Sequence, residues 1–145
     1  MRYTAPAMKP HPIQELEVPT TRRDEMIDVT PLVERAVAAT GVRQGLAIVH
    51  VPHTTAAITI NENADPDVKH DLLRKLSEMI PRHETYYRHG EGNSDSHVKT
   101  SLVGNMVTLL IEEGRLVLGT WQGIQFCEFD GPRRRKLQVK VVGFA

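Results

Sequence analysis

"VTLLIEEGRLVLGTW", Val107 to Trp121, is the stretch that decides the fold. Two apolar β-branched runs flank Glu112-Glu113-Gly114, and glycine is suited to the left-handed position of a three-residue hairpin turn. The pattern predicts an antiparallel hairpin. "GIQFCEFD" follows as a further strand and "DGP" turns the chain. In "KLQVKVV", Leu137, Val139 and Val141 alternate with Gln138 and Lys140, which predicts a sheet with one wet face.

Upstream, "GLAIVHVP" reads as a buried strand and "AAITIN" as the next, joined through Pro52-His53-Thr54-Thr55. Ile13 to Val18 alternates imperfectly and predicts another strand. Residues 1–12 hold three prolines and read as a loose arm. Two helices interrupt the strands. "DVTPLVERAVAATG" has Thr30 as N-cap, Pro31 at the first helical position and Gly41 as left-handed C-cap. Asp65-Pro66 opens the second, whose stripe of Val68, Leu72, Leu73, Leu76, Met79 and Ile80 ends at Pro81. Asp95 or Ser96 caps a short third helix, with Val98 and Leu102 on one face and Gly104 as its stop. The expected architecture is α+β: mostly antiparallel strands with two main helices and a short third, in one domain over residues 1–145.

Composition narrows the function. The chain has 145 residues, enough for one core, with 18 basic and 18 acidic side chains and zero formal charge. That balance argues against nucleic-acid or membrane-surface binding, which draws on an excess of Lys and Arg. The single cysteine, Cys127, permits neither an intrachain disulfide nor a cysteine zinc cluster. The N-terminus has no signal-peptide pattern and no run matches a membrane span, so a cytoplasmic protein is expected.

Seven histidines are the chemical signal. His53 sits at a strand-to-strand corner behind Pro52, where it is either an ordinary exposed side chain or held toward a cavity, with Thr54 and Thr55 to orient it. His89 and His97 flank a polar loop whose Gly90 and Gly92 let it fold back. Together the three supply the ligand count of a catalytic zinc, although the spacing alone equally fits a solvated loop. Lys99 and Ser101 follow, beside a helix start able to receive an anion. Glu62 is a candidate general base or partner to a metal-bound histidine. In "GTWQG", read as strand, Trp121 is a core residue or a stacking surface, and Gln122 on the opposite face a polar reader. The run Arg133-Arg134-Arg135-Lys136 contacts a phosphate or guards a strand edge. His11, His50, His70 and His83 are read as structural.

Three stretches, "VPHTTAAITINENADPDV", "NSDSHVKTSLVGNMVTL" and "GRLVLGTWQGIQFCEFDGPRRRKLQVKVVG", closely resemble the YjbQ family, in the same order and across about Glu15 to Gly143. The resemblance implies an α+β fold with an antiparallel sheet or sandwich and helices packed on it, assembled as a homotrimer with sites near subunit contacts. It also implies secondary thiamine-phosphate synthase activity, which joins a hydroxymethylpyrimidine diphosphate to a thiazole phosphate and releases pyrophosphate. The family's histidine positions match His53, His89 and His97, and its Gly-Thr-Trp-Gln matches Gly119 to Gln122. The expected site therefore has His53, His89 and His97 on a divalent metal, zinc above others, or on a phosphate. Glu62, Lys99 and Gln122 are expected in catalysis, and Thr54, Thr55, Ser101 and Trp121 at the substrate. The expected ligand is a phosphorylated small molecule or inorganic anion. The alternative is a non-catalytic trimeric module that binds such a molecule.

Overall fold

The computed structural model describes residues 1–5 and 7–144. In chain order the elements are β1 (Met8–Pro10), β2 (Gln14–Pro19), β3 (Glu25–Asp28), α1 (Thr30–Thr40), β4 (Gly45–His50), β5 (Ala56–Glu62), α2 (Pro66–Met79), α3 (Ser94–Val103), β6 (Met106–Glu112), β7 (Arg115–Leu116), β8 (Gln122–Glu128) and β9 (Arg134–Phe144). This is an α+β fold in which every strand pairing is antiparallel. The larger sheet runs β1-β9-β4-β6-β7, with β2 also on β9; the smaller runs β3-β8-β5. The alternation in "KLQVKVV" does what its period dictates, because successive side chains of a strand take opposite faces. Leu137, Val139 and Val141 are buried and meet Ala47, Val49, Leu109 and Ile111 of the same sheet. Ile58, Ile124 and Phe126 face them from the smaller sheet, and Val33, Ala36 and Val37 of α1 complete the core.

Several expectations shift in detail. The hairpin turn has two residues, not three: Ile111 pairs Leu116 and Glu112 pairs Arg115. Glu113 (φ 51) and Gly114 (φ 78) both take positive φ, as a type I′ turn requires. Val29, not Thr30, is the N-cap of α1, and the Thr30 hydroxyl instead accepts from the Ile124 N–H. The arm is not wholly loose, because Met8–Pro10 pairs with the end of β9. The short strand β3 has no period long enough to read in sequence. Asp65 caps α2 as expected, its side chain accepting from the Asp67 N–H. Yet no α2 residue is fully buried; Leu73 and Leu76 lie half-covered over Ala57, Cys127 and Phe129 on the outer face of the smaller sheet.

The expected wet face of the larger sheet is also different. Opposite the core, Val142, Leu46 and Leu110 stand side by side in one register row, and Ile48 in the next. Leu46, Ile48 and Val142 are half-exposed and Leu110 is 60% exposed. Charged and polar residues share that face, but its centre is apolar.

Candidate functional site

The helix α3 is inverted relative to its sequence pattern. Val98 and Leu102 are exposed, while Asp95, Ser96, Lys99 and Thr100 are buried. The reason lies far along the chain. Arg23 donates through both terminal nitrogens to the Asp95 carboxylate, at 3.0 and 2.9 Å. Lys99 Nζ sits 3.2 Å from Asp95 and 3.5 Å from Asp24, above the Phe129 ring. The Ser96 hydroxyl donates to the Phe129 carbonyl at 2.6 Å. Buried charge is tolerated when it is paired and hydrogen-bonded; Asp95 meets that condition, whereas Arg23 Nε and Asp24 Oδ1 have no hydrogen-bond partner among the described residues. Burial alone would raise the Asp95 carboxyl, but the bonds from Arg23 and Lys99 hold it below the usual carboxylate range. Lys99, 2% exposed, is thus locked inside and presents no charge to an anion at the surface, contrary to its expected role.

Anchored this way, α3 turns His97, Thr100, Ser101 and Gly104 toward the Pro52–Thr54 corner. These positions fall at i, i+3, i+4 and i+7, which is one face of a helix. They close a cavity of about 470 Å³ with His53, Thr54 and Asn105. Backbone bonds fix its walls: the Val51 N–H donates to the Asn105 carbonyl and the Ile58 N–H to the Gly104 carbonyl. Thr100 is 7% exposed, and its Oγ1 has no hydrogen-bond partner. His89 meets His97 edge to face, ring centroids 5.2 Å apart, so the glycine-bearing loop does fold back.

His53 is held from behind. Its Nε2 accepts the Lys136 N–H at 2.9 Å, where β9 runs beyond its pairing with β4. A neutral ring that accepts at Nε2 carries its proton on Nδ1 and is a hydrogen-bond donor there. Burial depresses the ring's pKa, and the nearby Arg135 charge lowers it further. These facts bear on the metal expectation. Ligation needs a free ring lone pair, and in this arrangement His53 has spent its own on Lys136. Among the described residues no three His, Cys, Asp or Glu side chains converge closely enough to hold one ion. The three imidazoles as placed do not make a three-ligand metal centre.

Other expected site residues lie elsewhere. The Thr55 hydroxyl accepts from Arg135 Nη2 at 2.8 Å and is turned into the interior. Arg135 itself grips buried Glu128, whose carboxylate also accepts from Thr20, Phe129 and Asp130. Within the basic run, Arg133 pairs Asp130 and Lys136 pairs Glu15, so three of its four members have acidic partners in the chain. The run guards no open edge on its β2 side, where Arg134 to Lys136 are paired. Glu62 ends β5 opposite Gln122, six residues past the strand's start near His53, which is roughly 20 Å at strand rise. "GTW" is turn rather than strand: the Gln122 N–H donates to the Gly119 carbonyl, and Gln122 Oε1 accepts from the Gly119 N–H. Trp121 is 62% exposed and no part of the core. Cys127 is buried, which pushes its thiol up to about 12 and removes it as a nucleophile.

The structure therefore gathers His53, Thr54, His97 and Ser101 around one cavity with His89 at its rim. It separates Glu62, Trp121 and Gln122 from them and buries Thr55 and Lys99. Thr100 and Asn105 were not expected there, although the i+3 spacing of Thr100 from His97 is visible once the helix is drawn.

Known proteins agree with the architecture. The sequence model described as "UPF0047 protein YjbQ-like" matches residues 14–144. The UPF0047 protein YugU of Bacillus subtilis is 53% identical over 131 residues, 90% of this chain and 99% of that protein. A UPF0047 protein of Archaeoglobus fulgidus is 43% identical over 88% of this chain and 99% of its own length. Among solved structures, an uncharacterised YjbQ/UPF0047 protein of Clostridium acetobutylicum superposes with a TM-score of 0.86 at 53% identity, covering 88% of this chain and 98% of that one. A protein of unknown function from Sulfolobus solfataricus gives 0.89 at 33% identity over 94% and 99%. With the match running through both sheets and all three helices, this chain belongs to the YjbQ family.

Proposed function

We propose that the chain acts on a small phosphorylated molecule, a phosphate ester, and seats its phosphoryl group in the cavity between His53 and His97. The observation that carries this reading is the donor set of that cavity. It offers imidazole N–H groups and the hydroxyls of Thr54, Thr100 and Ser101, with no carboxylate in the lining. Phosphoryl oxygens are strong acceptors, and a hollow lined by donors recognises them without a competing anion. His53 Nδ1–H is a fixed donor, since its tautomer is set by Lys136. His97, against His89, is the group placed to move a proton to or from an ester oxygen. Thiamine-phosphate synthase activity falls in this class, because both of its substrates carry phosphate.

Calorimetric titration with inorganic phosphate tests the seat. Wild type is expected to bind, and His53→Ala with Ser101→Ala to lose about tenfold or more in affinity, as the loss of two charge-assisted hydrogen bonds entails. Equal binding by both proteins would overturn the reading. Zinc in the same cell separates the other use of these histidines. If His53 is a donor, His53→Ala weakens phosphate and leaves zinc affinity unchanged; if it is a ligand, both fall.

A second reading, a non-catalytic module with the same ligand, is favoured by one observation: Glu62, the expected base, lies far from the cavity, whose lining holds no carboxylate. Turnover of a phosphate-ester panel distinguishes the two. In either reading the chain works as a homotrimer. Support comes from Val98 and Leu102, exposed on the helix that lines the cavity, and from the open apolar row of Val142, Leu46 and Leu110.

A further inference from the structure

Behind the His89–His97 pair lies a second cavity of about 380 Å³ that no expectation included. His89 lines it, whereas His97 lines the first; the two rings, 5.2 Å apart, form a shared wall. Arg82, His83, Thr85 and Ser94 supply its other donors. Arg82 makes no ion pair among the described residues and is exposed. Glu84 is the one carboxylate in the lining, and the Glu91 carboxylate stands 3.6 Å from His89 Nε2. Tyr87 contributes no donor, because its hydroxyl is given to the Pro81 carbonyl. That bond, with the Tyr87 N–H on the Glu84 carbonyl, folds residues 81–87 into a fixed bracket around the opening.

We infer that the ligand carries two anionic groups, one in each cavity, with its body passing over the edge-to-face pair His89–His97. This rests on the reading of the first cavity as a phosphate seat. An arginine, two imidazoles and two hydroxyls around one hollow recognise a phosphoryl group or carboxylate. The wall between the hollows is two rings thick, so adjacent phosphates of a diphosphate do not bridge it. The ligand class is a small molecule with an anion at each end and a short spacer between them.

The test uses methylphosphonate and a series of α,ω-alkane bisphosphonates of increasing spacer length, titrated calorimetrically into the full chain. Neither probe type is hydrolysed, so binding is read without turnover. One spacer length is expected to bind at least about tenfold more tightly than methylphosphonate, because the second contact becomes intramolecular. Arg82→Ala with His83→Ala is expected to remove that gain and any methylphosphonate bound in the second hollow, and to leave methylphosphonate affinity at the first seat unchanged; both side chains are exposed, so the fold does not depend on them. No gain at any length, or a gain that survives the double variant, overturns the two-anion ligand while the first seat stands. Absence of methylphosphonate binding overturns the first seat, and this inference with it.

Discussion

His53 shows how one hydrogen bond decides what a residue can do. With Nε2 bound to the Lys136 N–H, the folded protein holds the neutral ring, and burial and Arg135 both disfavour its cation. Its pKa is therefore lower folded than unfolded, and the unfolded chain binds more protons below the usual 6.5. The stabilisation is complete above pH 6.5 and is lost as pH falls through the folded value. Thermal melts from pH 7.5 to 5 are expected to decline more steeply for wild type than for His53→Gln, whose amide oxygen can accept the same N–H without titrating. Equal slopes would remove His53 as the titrating group. That His53 stands at a strand-to-strand corner was legible from its place behind Pro52. Its tautomer was not, because the partner N–H is 83 residues away. Thr55 was misread for the same reason: the hydroxyl that looked available beside His53 belongs to Arg135, on another strand.

At the scale of elements, α3 is the instructive case. Its apolar pair Val98 and Leu102 at i,i+4 predicts an inward face, and a periodic reading places Lys99 in solvent. The observed helix does the reverse, because Arg23 and Asp24 enter from the loop before β3 and give the polar face a partner. A single sequence carries no mark of a partner 72 residues distant, so the helix was legible but its orientation was not. Residues facing the cavity depend on that orientation. Asp95→Ala is expected to cost about 3 kcal/mol, since removing one member of a buried charge network strands the others. Urea denaturation measures this, and phosphate affinity of the fraction still folded is expected to fall with it as α3 loosens. A loss below about 1 kcal/mol would mean that the network does not anchor the helix. The strands were easier to read, since β4, β5, β8 and β9 carry period-two or continuous apolar patterns that local sterics enforce. The hairpin differs in its turn, where Glu113 takes a positive φ that no turn residue announces, and in its second strand, which ends at Leu116.

For the whole molecule, the two sheets share one core, and each presents an outer face with a different fate. On the smaller sheet, α2 and α3 cover Ala57, Cys127 and Phe129. On the larger sheet no helix among the described residues covers the row of Val142, Leu46 and Leu110. An alternating pattern told which residues face the core, but the opposite face reads as wet when only Gln138 and Lys140 of β9 are considered. Its apolar centre emerges only when β9, β4 and β6 are set in register. An apolar patch contributed by three strands costs solvation wherever it meets water, and association is the usual remedy. A second copy is the occupant that closed symmetry supplies without another gene product, and the exposed Val98 and Leu102 extend the apolar surface to the helix of the cavity. Leu110→Lys places a charge at the middle of this face, on a side chain already 60% exposed in the single chain, so the monomer's own core is untouched. Light scattering is expected to find wild type at three times the chain mass and the variant at one, with an unchanged far-ultraviolet circular dichroism spectrum. If the variant stays trimeric, the face is free and the contact lies elsewhere. If it dissociates and phosphate affinity falls as well, the cavity beside Val98 and Leu102 depends on the neighbouring copy, and the oligomer is part of the site.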